Sequence, residues 1–156
     1  MINTTCMITG HRTFDVSKIE DVKRELRREI LVAIADGYTW FLSGMAEGTD
    51  LYFSEIVAEL KTDNPSLSLG AVLAHPGRLK SRDKDFQRLL KTCNSVVIRS
   101  SEYTPNCYLL RNRYMVMESS RVIAVYDGRE KGGTAAAMRY ASTLRCELRV
   151  IRIDEM

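Results

Sequence analysis

The chain is 156 residues long, which fits one domain built around a single hydrophobic core. Its 23 basic and 20 acidic residues leave a net charge of only +3, a balance that does not by itself indicate a nucleic-acid or membrane-surface partner. No apolar run approaches the ~18 residues of a membrane span, and the N-terminus lacks the features of a signal peptide. We therefore expect one domain over residues 1–156, located in the cytoplasm and away from membranes.

Six short β-prone runs alternate with five helical stretches. The predicted strands are 4–9, 39–42, 67–74, 95–98, 122–126 and 147–153. The predicted helices are a first one that Ser17 opens and Gly37 ends, followed by 51–60, 82–93, 106–120 and 135–144. The strands are continuous runs of Val, Ile, Leu and Ala, which is typical of a sheet covered on both faces. The pattern predicts a three-layer α/β domain with a mainly parallel sheet.

Cysteine usage predicts no metal centre. The four cysteines, Cys6, Cys93, Cys107 and Cys146, lie far apart and form no Cys-x-x-Cys pair. We expect neither a zinc site nor a disulfide framework, and no required cofactor.

The turn between the second strand and the second helix is the first candidate for a ligand site. Residues 43–50 read Ser-Gly-Met-Ala-Glu-Gly-Thr-Asp. Gly44 and Gly48 allow positive φ and leave the backbone bare, so that an anion can approach main-chain N–H groups at the start of the next helix. The same residue types also satisfy ordinary turn and cap geometry, so that a ligand role and a structural role both remain open.

Glycines and cationic side chains concentrate at one edge of the predicted sheet. Seven of the nine glycines fall in loops that follow strands: Gly10, Gly44, Gly48, Gly77, Gly128, Gly132 and Gly133. The same edge holds both histidines and three arginines: His11, His75, Arg12, Arg78 and Arg99. In an open parallel sheet, ligands bind at the carboxyl ends of the strands, near the point where the strand order reverses. We therefore expect a ligand at this edge.

Four motifs in a fixed order also resemble a known family. They are Thr-Gly-His-Arg at 9–12, Ser-Gly-Met-Ala-Glu-Gly-Thr-Asp at 43–50, Arg-Asn at 111–112, and Val-Ile-Ala-Val-Tyr-Asp-Gly at 122–128 with Gly-Gly-Thr at 132–134. The chain is similar to the YpsA-like branch of the SLOG superfamily. This resemblance implies a Rossmann-like domain that binds nucleotides or nucleotide-derived ligands, with ADP-ribose and NAD as the candidates. The superfamily also includes the LOG phosphoribohydrolases and the DNA-binding DNA-processing protein A.

One departure from the LOG pattern concerns catalysis. LOG enzymes carry glutamates after their glycine-threonine pair, where they serve cleavage of a ribose N-glycosidic bond; here residues 132–134 are followed by three alanines at 135–137. A hydrolase needs a carboxylate to orient water and stabilise an oxocarbenium-like centre. Glu47, Asp50 or Asp127 are the candidates to replace the missing group. The departure favours binding over cleavage.

The predicted ligand-binding residues are Gly10, His11, Arg12, Ser43, Gly44, Glu47, Gly48, Thr49, Asp50, Arg111, Asn112, Gly132, Gly133 and Thr134. We expect residues 44–49 and 132–134 to form two backbone cradles for a diphosphate. Arg12 and Arg111 would pair with phosphate oxygens, since guanidinium groups bind phosphate in a bidentate manner.

Several of these assignments have structural alternatives. Asp50 or Glu47 would accept hydrogen bonds from ribose hydroxyls, although Asp50 is also an ordinary residue for a helix N-terminus. Arg111 suits a solvated helix equally well, and His11 suits a structural turn. Tyr103, Tyr108 and Tyr126 lie near the same edge and are candidates to stack on a base.

Three functions follow from the sequence. The favoured one is a domain that binds or senses a nucleotide without turnover, and the alternative is a phosphoribohydrolase. The weakest is a nucleic-acid module that uses Arg27, Arg28, Arg111 and Arg113. The apolar stretch of the fourth helix, which includes Leu109, Leu110, Met115, Val116 and Met117, also predicts a homodimer.

Overall fold

A computed structural model describes residues 2–156 of the chain. The six strands are β1 (Thr5–Gly10), β2 (Trp40–Ser43), β3 (Ser68–Leu73), β4 (Ser95–Ile98), β5 (Arg121–Tyr126) and β6 (Glu147–Arg152). The five α-helices are α1 (Ile19–Ala35), α2 (Thr49–Asp63), α3 (Lys84–Thr92), α4 (Cys107–Glu118) and α5 (Gly133–Thr143). Short 3-10 helices occupy Val16–Lys18, Pro76–Lys80 and Ile153–Glu155.

All six strands pair in parallel in one sheet with the order β4-β3-β2-β1-β5-β6. The chain builds outward from β1 to β4 and then crosses back to place β5 on the other side of β1. The order of the strands therefore reverses between β1 and β5. The three-layer, Rossmann-like α/β fold is confirmed, and the reversal forms a crevice at the carboxyl ends of β1 and β5.

Helices cover both faces of the sheet and explain why the strands are apolar on both sides. On one face, α2 packs over β1 and β2 and α1 packs beside it towards β6, in a cluster that contains Leu26, Phe41 and Phe53. On the other face, α4 and α5 pack over β1 and β5 through Met7, Met115 and other buried side chains. Burial on both faces stabilises the sheet at about 25 cal/mol per Å² of apolar surface removed from water.

Two helices begin earlier than the sequence pattern predicted, and both lie at the ligand edge. Helix α2 begins at Thr49, with Gly48 as its N-cap, and α5 begins at Gly133, with Gly132 as its N-cap. Both cap glycines have positive φ, +77° and +113°. Glycine is needed because other residues rarely adopt that backbone conformation. The first helix also differs, since Asp15 and not Ser17 supplies the capping side chain of the preceding 3-10 turn.

The apolar stretch of α4 divides between core and surface. Met115 and Val116 are buried inside the domain, whereas Leu109, Leu110 and Met117 remain exposed. Burial within one chain thus accounts for part of the pattern, and the homodimer stays a prediction. Across residues 2–156, none of the helices combines the length and apolar character required to cross a membrane.

Candidate functional site

The loops that leave β1, β2 and β5 enclose a cavity of about 300 Å³ together with helix α4. Ten of the predicted ligand-binding residues line it: Gly10, His11, Arg12, Gly44, Asp50, Arg111, Asn112, Gly132, Gly133 and Thr134. Ser43, Glu47, Gly48 and Thr49 do not line it, although Glu47 borders a smaller neighbouring compartment. Tertiary structure thus brings four separated motifs around one space at the reversal between β1 and β5.

Arg111 is the most deeply placed cation of the cavity. It projects from the second turn of α4 and is only 6% exposed. Its Nη1 donates to the carbonyl of Gly44 at 2.8 Å, and its Nε donates to Oδ1 of Asn112 at 2.8 Å. Among the described residues, Nη2 has no hydrogen-bond partner. Arg111 is therefore a buried, oriented guanidinium and not a solvated helix arginine.

Asp50 is the one carboxylate among residues 2–156 that lines the cavity, and it is 7% exposed. Its Oδ2 accepts a hydrogen bond from the backbone N–H of Ala46 at 3.2 Å. Burial raises the pKa of Asp50 above its ordinary value, although the nearby positive charge of Arg111 and the Ala46 hydrogen bond oppose the shift. Burial likewise lowers the pKa of Arg111. The ligand-free site thus holds two charges that are incompletely compensated by their surroundings.

The turn over residues 43–50 satisfies most of its own polar groups. The hydroxyl of Ser43 accepts from the N–H of Met45 and donates to the carbonyl of Asp50. Met45 is buried with φ at +58°, and its carbonyl accepts two hydrogen bonds from Arg78. The N–H of Ala46 is bonded to Asp50. Within the turn, the N–H groups of Met45, Ala46 and Thr49 are therefore engaged inside the protein.

The glycines of the first two loops allow close packing inside the protein. A Cβ at Gly44 would stand 2.2 Å from Nη1 of Arg111, and one at Gly48 would stand 2.1 Å from the carbonyl oxygen of Arg12. A Cβ at Gly10 would stand 2.4 Å from the side chain of Thr49. Protein atoms therefore occupy the space next to each of these three Cα atoms. A phosphate cradle over 44–49 stays a prediction.

Thr49 joins the loop after β1 to the start of α2. Its backbone N–H and its hydroxyl both donate to the carbonyl of His11, at 3.4 and 2.8 Å. These two bonds fix the backbone that precedes Arg12, whose side chain is exposed and contacts the ring of Tyr108 at 4.9 Å. The role of Thr49 is to hold Arg12 at the mouth of the cavity.

The second predicted cradle, at 132–134, remains open. The nearest protein atom to a Cβ built on Gly132 or Gly133 lies 3.7 Å away, which is ordinary contact. Helix α5 has no side-chain cap, and its first N–H groups have no partner among the described residues. Uncapped amides at a helix N-terminus attract anions because they carry the positive end of the helix dipole.

His11 and Asp127 connect β1 to the loop after β5. Nε2 of His11 lies 3.2 Å from both the backbone N and the carboxylate Oδ1 of Asp127. Burial lowers the pKa of His11, and the nearby carboxylate of Asp127 opposes this shift. Hydrogen bonds from Arg129 lower the pKa of Asp127 to about 2. Arg129, which also lines the cavity, was absent from the sequence-predicted set.

A second compartment of about 190 Å³ adjoins the cavity and shares Arg12, Gly44 and Arg111 with it. Tyr108 also lines both spaces, and its hydroxyl lies 3.4 Å from Nε2 of His75. The ring of Tyr103 meets His75 edge-on, with ring centroids 5.5 Å apart. An aromatic wall thus lies beside the cationic cavity. The sequence pattern placed Tyr103, Tyr108 and His75 at this edge of the sheet.

Over residues 2–156, the structure contains no cluster of three or more His, Cys, Asp or Glu side chains arranged to hold a metal ion. The four cysteines are free thiols. Burial raises the pKa of Cys6 and, to about 11, that of Cys93.

A parallel sheet in this order, with a cavity at its point of reversal, defines a Rossmann-like domain. Comparison with known proteins gives the family. The family model described as the YspA SLOG family, YpsA, matches residues 6–156. The chain therefore belongs to the YpsA family of SLOG proteins, as the order of its motifs predicted.

The relatives and structural neighbours agree with this assignment. UPF0398 proteins of Bacillus cereus (strain B4264) and Bacillus thuringiensis (strain Al Hakam) are each 24% identical over 139 residues, covering 80% of this chain and 75% of the relative. DNA processing protein A from Helicobacter pylori, described by its single-stranded DNA binding mode, aligns with a TM-score of 0.65 and 18% identity over 95% of this chain. The alignment covers 65% of that protein, which is longer. TM1055, a structural genomics target, aligns with a TM-score of 0.60 and 16% identity, over 90% of this chain and 69% of its own. At these identities the structural likeness shows the fold alone.

The packing around Gly48 predicts a large stability loss for Gly48→Ala. Gly37 is a matched control, since it also has positive φ but has open space where a Cβ would lie. Gly37→Ala should lose only the strain of a disfavoured backbone conformation, about 1–3 kcal/mol. Gly48→Ala adds a collision with the Arg12 backbone and should lose about 1–3 kcal/mol more. Urea denaturation measures both; equal losses would contradict the packing role of Gly48.

The raised pKa of Asp50 predicts that its charge destabilises the ligand-free protein. A raised pKa in the folded state means that folding favours the neutral carboxyl. The charged carboxylate therefore lowers the free energy of unfolding at pH 7, and this effect vanishes below the ordinary pKa of 3.8. Asp50→Asn should therefore increase the free energy of unfolding at pH 7, and the gain should shrink as the pH falls towards 4. Asp63→Asn, at an exposed position, should show no such trend. A gain from Asp50→Asn that does not change with pH would refute this explanation.

Proposed function

We propose that the chain binds a nucleotide or nucleotide-derived ligand, of the ADP-ribose or NAD type, as a binding or sensing domain. The observation that carries the proposal is Arg111, a guanidinium that is 6% exposed and whose Nη2 has no hydrogen-bond partner among the described residues. This Nη2 atom is not among the buried polar atoms that lack a partner, so it is open to the cavity that Arg111 lines. A phosphate in the cavity would accept a hydrogen bond from it and supply the opposite charge.

Further cationic groups support phosphate as the anion. Arg12 and Arg129 line the same cavity, against the carboxylate of Asp50. The open amides at 132–134 add the positive end of the α5 dipole. Arg129 is paired with Asp127, so Arg111 and Arg12 are the main cations that face the cavity.

The neighbouring compartment suits the rest of a nucleotide. It opens from the cavity beside Arg111 and is lined by Tyr108 and His75, whose rings provide apolar and hydrogen-bonding surface for a base or ribose. Asp50 lies between the turn and Arg111, where it accepts hydrogen bonds from ribose hydroxyls in the proposed complex. A ligand with phosphates next to a less charged base or ribose matches this succession of surfaces.

Phosphoribohydrolase activity is the second candidate, and the position of Asp50 favours it. Of the three carboxylates that the sequence offered, Asp50 is the one that lines the cavity, whereas Glu47 is exposed and Asp127 is bonded to Arg129. Burial raises its pKa, as is common for a carboxyl that exchanges a proton in a reaction. A single carboxylate would have to orient the attacking water, since no second one from residues 2–156 lines the cavity.

The binding proposal predicts a rise in melting temperature with ADP-ribose, NAD or AMP. At a ligand concentration of 100 times Kd, the stabilisation is about 2.7 kcal/mol, which for a domain of this size corresponds to a rise of roughly 5–10 °C. Differential scanning fluorimetry with a nucleotide panel measures it. Absence of any shift across the panel would overturn the proposal.

Gly133→Ala separates binding from stability. Gly133 has no positive φ, and a Cβ there meets its nearest neighbour at 3.7 Å, so the substitution should leave stability unchanged or raise it by up to about 1 kcal/mol. The added methyl group covers the amides at 132–134 and should weaken nucleotide binding about tenfold. Calorimetric titration measures the affinity. Arg12→Ala should weaken binding too, whereas the charge-matched control Arg28→Ala, on α1, should not.

The hydrolase candidate predicts release of free base from nucleoside monophosphates. Asp50→Asn preserves the shape of the side chain and its acceptor for Ala46, and should abolish release while leaving the fold intact. Chromatographic detection of the base over a panel of monophosphates provides the measurement. A clean negative with the wild-type chain eliminates turnover and leaves the binding function unaffected.

A further inference from the structure

The groove between α4 and α5 is a second candidate surface, of about 480 Å³, that extends beyond the proposed nucleotide site. Its floor consists of small residues, Gly133, Ala136 and Ala137, which keep it open. Its walls carry the side chains of Arg113 and Arg139. The groove thus presents cations above a flat, small-residue floor.

The charge of this groove distinguishes it from the groove on the opposite face of the sheet. Within residues 2–156, no carboxylate lines the α4–α5 groove. The groove bounded by α1, α2 and α3 is lined by six carboxylates and four cations: Glu20, Glu47, Glu55, Glu59, Asp83 and Asp85 with Lys23, Arg24, Arg27 and Arg88. Ion pairs such as Arg27 with Glu59 and Arg88 with Glu55 neutralise its cations. The small net charge of the chain therefore hides an unequal distribution, with uncompensated positive charge on the α4–α5 side.

The two groove arginines remain available to a partner. The guanidinium of Arg113 lies 5.4 Å from the ring centroid of Tyr140 and has no hydrogen-bond or ion-pair partner among the described residues. Arg139 donates through Nη1 to the carbonyl of Glu130 and makes no ion pair in the described part of the chain. Cations interleaved with tyrosines are the surface that single-stranded nucleic acids bind, since phosphates pair with the cations and bases stack on the rings.

The groove is continuous with the phosphate cavity. Tyr108, Asn112, Gly132 and Gly133 line both spaces. A chain of phosphodiesters can therefore place one phosphate on the amides of α5 and pass its next residues between α4 and α5. A mononucleotide fills only the first of these positions.

We infer that the α4–α5 groove binds single-stranded nucleic acid, with a phosphate of the strand in the switch-point cavity. The inference rests on the proposed phosphate site and adds a polymer to its ligands. Arg113 and Arg139 contact the backbone phosphates, and the ring of Tyr140 provides a stacking surface.

The test is fluorescence anisotropy of a 3′-labelled, 5′-phosphorylated oligothymidylate at several NaCl concentrations. Arg113→Glu should weaken binding by about tenfold or more, and its salt dependence, as log K against log[salt], should be shallower by about 0.7 for each phosphate that the variant no longer neutralises. Arg24→Glu is the matched control: it makes the same charge change at an exposed arginine beside the opposite groove, and its affinity should stay close to that of the wild type. A polyglutamate competitor should not displace the oligonucleotide.

The outcomes separate this inference from the proposed function. Equal effects of Arg113→Glu and Arg24→Glu, or displacement by polyglutamate, would overturn the groove as a nucleic-acid site. Binding of ADP-ribose without binding of the oligonucleotide would overturn it too and leave the nucleotide site standing. Oligonucleotide binding that Arg113→Glu abolishes, with no affinity for any mononucleotide, would support the groove and reject the proposed function.

Discussion

The hydrogen bond from Arg111 to the carbonyl of Gly44 ties helix α4 to the turn between β2 and α2, across the carboxyl end of the sheet. It requires glycine at 44, because a Cβ would stand 2.2 Å from the guanidinium. Asp50 lies nearby, and its negative charge opposes the lowering of the Arg111 pKa by burial. The cavity takes its shape from this contact, with Arg12 and the start of α5 arranged around the same guanidinium.

The site contains three features that lower the stability of the folded protein. Met45 holds positive φ inside the protein, Asp50 has a raised pKa, and Arg111 has a lowered one. Each of these features costs folding free energy. Such costs persist where surrounding structure holds the residues in place, and they are more common at functional sites than elsewhere in a protein.

The two glycine-containing loops make different contacts. In the turn over 43–50, Gly44 packs against the side chain of Arg111 and Gly48 packs against the backbone of Arg12. In the loop over 132–134, glycines face open space and leave the amides of α5 free. Glycine thus allows close packing in the turn over 43–50 and leaves the backbone open in the loop over 132–134.

The sequence by itself determined the α/β class, the order of the elements, the family and the edge at which the site lies, because these depend on local patterns and on short motifs. Most of the predicted site residues do meet at the cavity. The tertiary structure alone decided that Gly44 and Gly48 contact protein atoms, that Arg111 is buried, that Arg129 joins the site, and that cations concentrate beside α4 and α5. These outcomes depend on contacts between segments that are far apart in the chain. Gly44 and Arg111, for example, are separated by 67 residues. A local sequence pattern does not predict such a contact, because it describes only neighbouring residues.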